Sequence, residues 1–210
     1  MKELDLLKKD WQKSAASFQQ ISETEIYKMI HKKSSSIVKW ILIISILEIS
    51  FWTFSNLFIN TDDVLRKINH PEIVTALEFL TYFNYVVVLI FVYIFYKNYK
   101  TISTTVATKS LMSAILKTRK TVQYYVWYNL GMIVITAILS FFIAFVYNPD
   151  MEFLREKLAL NGKAMFATIG ILFLVILGFF GLFWCFYRVI YGTLLRRLYA
   201  NYKELKKIDF

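Results

Sequence analysis

Glu48 is the residue in this chain whose position most needs a chemical reason. It stands in the middle of a long apolar run, Ile37 to Phe58, reading IVKWILIISILEISFWTFSNLF. As a helix, those 22 residues extend about 33 Å and cross a hydrocarbon core of about 30 Å. A carboxyl group near the midplane of such a span is costly, and by default it marks a functional position. Ser45, Glu48, Trp52 and Ser55 recur at helical spacing and form one polar seam. Two chemistries fit the seam. A protonatable carboxylate can bind a cation or couple to protons. Alternatively, the carboxyl locks helices together by hydrogen bonding. No Lys or Arg is expected at the same depth in another span to neutralise it.

Other polar groups within apolar runs are fewer. Glu78 lies near the start of the second run, with Thr81, Tyr82 and Tyr85 on its face. Asn84 and Asn129 add amides at moderate depth, and Asn129, Thr136 and Ser140 suit interhelical hydrogen bonds. Glu78 placed at the membrane interface can reach water. A reaction site using Glu48 and Glu78 together is disfavoured, because the two fall roughly half a membrane apart.

Enzymatic chemistry has little else to use. The two histidines, His31 and His70, fall on opposite sides of the membrane in the topology derived below. They cannot assemble a multi-imidazole metal site. There is no GxSxG, no phosphate-cradling glycine loop and no CxxC. The single cysteine, Cys185, is inside an apolar run and has no partner for an internal disulfide. No catalytic residue, cofactor or metal is expected.

The elements that must position Glu48 follow from composition. Of 210 residues, 57% are hydrophobic, and there are only two Pro and six Gly. That is an integral membrane protein of mostly helix with short connections. The fold class is all-α: a polytopic bundle of four transmembrane helices with amphipathic cytoplasmic helices. The spans are predicted at about 37–58, 77–96, 122–147 and 165–191. Residues 1–36 carry charge throughout and lack a short apolar signal region, so the first span is expected to act as the insertion signal.

Residues 1–36 read as an amphipathic helical hairpin. Leu4, Leu7, Trp11, Ala15 and Phe18 make one stripe. Ser22 with Glu25 forms a capping box, and Ile21 with Ile26 has hydrophobic-staple spacing. Ser34, Ser35 and Ser36 are expected to form a polar joint before the first span. Pro71 suits the first turn of the second helix, with Asn69 or His70 capping it. Residues 97–121 read as a loop with a short amphipathic helix through Val106, Leu111, Ile115 and Leu116. Asn148, Pro149 and Gly162 bound a small helix that presents Met151, Leu154 and Leu158. The fourth span continues outward as a helical tail over 192–210, with Leu198, Tyr202, Leu205 and Ile208 on one face.

Charge sets the expected orientation. Segments 1–39, 97–120 and 188–207 hold twenty Lys and Arg, and the other two loops hold five. The positive-inside rule then places both termini in the cytoplasm. The net charge of +10 is explained by that bias. Nucleic acid is not the expected partner, because Lys outnumbers Arg heavily.

Two interaction surfaces are readable. Ala167, Gly170, Gly178, Gly181 and Cys185 line one face of the fourth span and suit close helix packing, within the chain or between copies. The Lys-flanked stripes at 4–18, 106–116 and 198–208 suit anionic lipid head groups or a protein partner. Leu4, Leu7, Trp11, Phe18, Leu198, Tyr202 and Leu205 are the docking candidates.

The segments HKKSSSIVKWI at 31–41 and TRKTVQYYVWYNL at 118–130 resemble a lineage-restricted, uncharacterised family of small four-span bacterial inner-membrane proteins. The resemblance implies four spans and brings no catalytic residue. The leading expectation is therefore a non-enzymatic accessory or scaffold subunit that docks a partner through its basic amphipathic helices. The alternative is a small proton- or cation-coupled transporter centred on Glu48.

Overall fold

Ser22 opens the first helix as its spacing to Glu25 predicts. The Glu25 amide donates to Ser22 Oγ at 3.3 Å, and the Ser22 amide donates to Glu25 Oε2 at 3.1 Å. This reciprocal capping satisfies two amides that would otherwise be orphaned. In a computed structural model that describes residues 22–58 and 70–208, the helix it starts, α1, runs unbroken over Glu23–Phe58. The expected joint at Ser34–Ser36 does not form. Serine hydroxyls inside a helix can bond to neighbouring groups instead of breaking it. Ser34 is fully buried and accepts from Asn201 Nδ2 at 2.9 Å. The second arm of the expected hairpin is thus the first turns, about three, of the spanning helix. The first arm, with Leu4, Leu7, Trp11 and Phe18, lies outside the described residues.

Helix α2 spans Pro71–Thr104, and α3 spans Thr108–Tyr147. Pro71 occupies the first turn of α2, but His70 gives no side-chain cap. Its Nδ1 lies 2.8 Å from Glu72 Oε1 instead. Asn69, the other capping candidate, lies outside the described residues. The segment 97–121 is not a loop with its own helix. It is the ends of α2 and α3, joined only by Thr105, Val106 and Ala107. It contains neither Pro nor Gly, and Ile102, Leu111, Ile115 and Val122 bury as each helix continues. Tyr27 of α1 holds the link by donating to the Thr105 carbonyl at 3.3 Å.

Asn148 Oδ1 accepts from the Asp150 amide and caps a single 3-10 turn, Pro149–Met151. A short helix α4 follows over Glu152–Ala159. Arg155 of α4 donates to the carbonyls of Phe145 and Val146, satisfying the end of α3. Gly162 does not close α4 as its position suggests. It is the first residue of α5, Gly162–Ile208, whose start is capped by Asn161 Oδ1 accepting from the Ala164 amide.

Among the described residues there is no strand. α1, α2, α3 and α5 are each long and apolar enough to cross a membrane. They hold 36, 34, 40 and 47 residues, whereas a span needs about 20. The excess length forms a helical collar at the basic end, continuous with the apolar segments. No boundary falls at 36/37 or 191/192. Each long helix packs against two neighbours in the cyclic order α1, α2, α3, α5, and α1 also touches α3 across the bundle.

Burial is concentrated at the basic end, where α1 begins and α5 finishes. Ile30, Ile102, Leu111, Ile115, Leu198 and Leu205 are buried there. The opposite half has few buried side chains, Ile143 and Leu158 among them. The bundle is closed at one end and loosely packed at the other. In the collar the Asn201–Ser34 bond joins α5 to α1. Ser34→Ala would strand a buried amide donor, costing about 1–3 kcal/mol. Thermal unfolding in detergent should show that loss, and Ser34→Ala with Asn201→Leu should recover part of it.

The small-residue stripe of α5 is not its packing face. Ala167, Gly170, Gly178, Gly181 and Cys185 are all exposed, and a Cβ at any of the three glycines meets nothing within 4 Å. The helix instead turns Phe183, Tyr187, Tyr191 and Leu198 inward, because these bury far more surface against α1 and α3. Gly181→Leu is therefore expected to leave the melting temperature of the monomeric protein unchanged or slightly raised, since leucine also favours helix.

Candidate functional site

α1 presents Ser45 and Glu48 to the interior one turn apart. Ser45 is fully buried and donates to the Leu42 carbonyl at 2.8 Å, so its polarity is spent within α1. Glu48 is satisfied by other helices. The Tyr125 hydroxyl of α3 donates to Glu48 Oε2 at 2.8 Å, and the Tyr191 hydroxyl of α5 donates to the same oxygen at 3.2 Å. The Tyr187 hydroxyl, one turn from Tyr191, donates to Oε1. Spacing of four residues puts both α5 phenols on one face. All three tyrosines are buried, at 0%, 3% and 1% exposure for Tyr125, Tyr187 and Tyr191.

These rings also close the basic side of the site. Tyr125 packs edge-on against Tyr191 at 5.8 Å and against Phe95 at 5.4 Å between centroids. Glu48 therefore rests on an aromatic floor. Above it, away from the basic end, is a cavity of about 440 Å³ lined from α1, α2, α3 and α5. Its walls run from Glu48, Tyr125 and Tyr187 up to Leu77, Thr81, Thr136 and Ser140, where the hydroxyl residues are exposed.

The charge balance is unusual. A carboxylate offers about four lone-pair positions, and three phenols occupy part of that set. All three donors are neutral. Among the described residues, no Lys, Arg or His lies within ion-pair distance of Glu48. The group faces a cavity with acceptor capacity left and, among the described residues, no countercharge.

Of the polar residues expected from sequence, Glu48, Trp52, Asn84 and Asn129 do share this cavity. Trp52 stands 6.1 Å from the Phe183 ring. Asn84 Oδ1 accepts from the Tyr128 hydroxyl at 3.0 Å, and Asn129 Nδ2 donates to the Tyr125 carbonyl at 2.8 Å. Asn129 thus bonds within α3, not between helices. Ser45 lies beside Glu48 in the core. Ser55 is half-buried off the wall, and Glu78 is exposed outside the cavity while its neighbour Leu77 lines it. A paired-carboxylate site is not formed. The sequence reading misses Tyr125, Tyr187, Tyr191 and Phe183, because aromatic abundance was sufficient for membrane belts and packing. The available signal was the i, i+4 spacing of Tyr187 and Tyr191 within an otherwise apolar span.

Residues 24–210 match the model of a family described as a domain of unknown function, DUF8845. The chain belongs to the DUF8845 family. No curated protein and no solved structure matches it.

The DUF8845 match includes the collar as well as the spans. Within it, the docking candidates Leu198 and Leu205 are fully buried and Tyr202 is half-buried. Leu111 and Ile115 are fully buried, while Val106 is 85% exposed. Leu111 and Ile115 of one stripe share a buried core with Leu198 and Leu205 of the other, whereas Leu116, like Val106, is exposed; helix ends side by side can bury their apolar faces mutually. No group of three or more metal-ligating side chains occurs among the described residues.

Proposed function

We propose that the protein is a small cation-coupled transporter of the bacterial inner membrane, with both ends of the chain in the cytoplasm and Glu48 as the ion site. The observation that carries this reading is a carboxyl group on the wall of an intrabundle cavity, held by three phenols and with no countercharge among the described residues. A purely structural carboxyl would be expected inside packed helices, with no open volume at its face.

Access supports a carrier in preference to a channel. The cavity stops at Tyr125, Tyr187 and the rings below them, and the collar beneath is tightly packed. A channel needs a continuous path, whereas a carrier alternates access around a fixed site. With the Lys-rich end inside, the cavity opens toward the outer side. Transport of this kind needs no catalytic group or cofactor.

The scaffold reading has less to stand on. Leu111, Ile115, Leu198 and Leu205, the inner residues of two of its three stripes, are buried in the collar and not offered to a partner. The deciding experiment is flux in proteoliposomes that enclose a pH-sensitive dye. A proton gradient that the protein dissipates only when a cationic substrate is added supports the proposal. Liposomes indistinguishable from protein-free ones across a panel of inorganic and organic cations would reject it.

A further inference from the structure

We infer that the cavity takes an organic ammonium ion with an apolar body, in preference to a metal ion. This rests on the cation-site reading of Glu48 and specifies its ligand. Glu48 carries the only carboxyl group among the described cavity-lining residues. A dehydrated divalent metal takes six or more oxygen ligands, carboxylates prominent among them, and a single carboxyl group does not balance its two charges. The Asn84 oxygen accepts from Tyr128, and the Thr81 and Thr136 hydroxyls give their protons to the Leu77 and Met132 carbonyls of their own helices, so these neutral groups add no negative charge.

What the walls do supply is aromatic and aliphatic surface. Trp52 and Phe183 stand together beside Tyr187, with Ile49, Val88 and Ile133 completing the apolar wall. Aromatic faces attract weakly hydrated ammonium ions, and most strongly where water is excluded. The volume, about 440 Å³, falls in the range of pockets that hold drug-sized molecules. A bare alkali ion would leave most of it empty. One carboxylate at the floor and an apolar chamber above it match one positive charge carried by a bulky apolar group.

The test is calorimetric titration of the purified full-length protein in neutral detergent, with tetrapropylammonium as the probe. K⁺ and tetramethylammonium serve as comparisons, and Glu48→Gln is titrated alongside to remove micelle partitioning. Tetrapropylammonium should bind at one site, Glu48→Gln should abolish it, and Trp52→Leu should weaken it about tenfold, with Trp52→Tyr restoring most of the loss. K⁺ at equal ionic strength should not compete. If K⁺ competes as well as tetrapropylammonium, or Trp52→Leu binds normally, the ligand assignment is wrong and the cation site stands. If no cation binds the wild type more tightly than Glu48→Gln, both fail. Gel filtration and thermal unfolding of each variant separate lost binding from lost folding.

Discussion

Replacing Glu48 by glutamine is expected to abolish cation-dependent flux while leaving a folded, monodisperse protein. Glutamine keeps the length and an acceptor oxygen, so part of the phenol network of Tyr125, Tyr187 and Tyr191 survives. The negative charge does not survive. An ion pair at 4 Å in an effective dielectric of 20 contributes about 4 kcal/mol, or roughly a thousandfold in affinity. Flux assays in liposomes should therefore fall to background. Thermal unfolding should shift much less than it does for a core deletion. Glu48→Asp separates charge from reach. It keeps the anion but draws it back by one methylene, away from the phenols. Intermediate transport is expected, above that of Glu48→Gln.

The second large effect is in the collar. Leu205 is fully buried with Ile30, Ile102 and Leu198 in one core. Leu205→Ala is expected to destabilise the protein by about 2–5 kcal/mol, the usual range for a leucine removed from a packed site. Thermal unfolding of the solubilised protein should show a clearly lower midpoint. This variant also separates two roles for the same residue. A leucine that docks a partner can be truncated with little effect on the isolated chain. A leucine that seals the collar cannot. An unchanged midpoint would return Leu205 to the docking role and revive the scaffold reading.

Much of the fold was legible because its signals are local. The spans follow from runs of apolar residues, and the starts of α1 and the 3-10 turn follow from Ser22 and Asn148, whose side chains cap within three residues. Continuity between elements was not legible. Ser34–Ser36 and residues 97–121 look like punctuation because they are polar or charged. Apart from the link at Thr105, Val106 and Ala107, they stay helical because each buries one side against a helix distant in sequence, as Ser34 does against Asn201. The same nonlocality hid the true face of α5. Small residues suggest close packing, but Phe183, Tyr187 and Tyr191 have neighbours to bury against and the glycines do not. In the site, Glu48 could be identified by its cost alone. Its three phenols could not, since Tyr125 and Tyr191 reach it across 77 and 143 residues of chain.

The most direct measurement is chemical labelling of Glu48 in native-like membranes. A lipid-soluble carbodiimide is applied to the reconstituted protein, and the modified carboxyl is located by peptide mass. A carboxyl group facing an open cavity, with no countercharge among the described residues to hold it ionised, should react through its protonated form, and tetrapropylammonium, which holds the ionised form, should slow the reaction in a concentration-dependent way. Exposed Glu78, outside the cavity, serves as the internal reference and should show no protection. An inert Glu48 beside a reactive Glu78, or a Glu48 labelled at the same rate with and without every cation tested, would contradict a ligand site at this carboxylate and leave it as a lock between α1, α3 and α5.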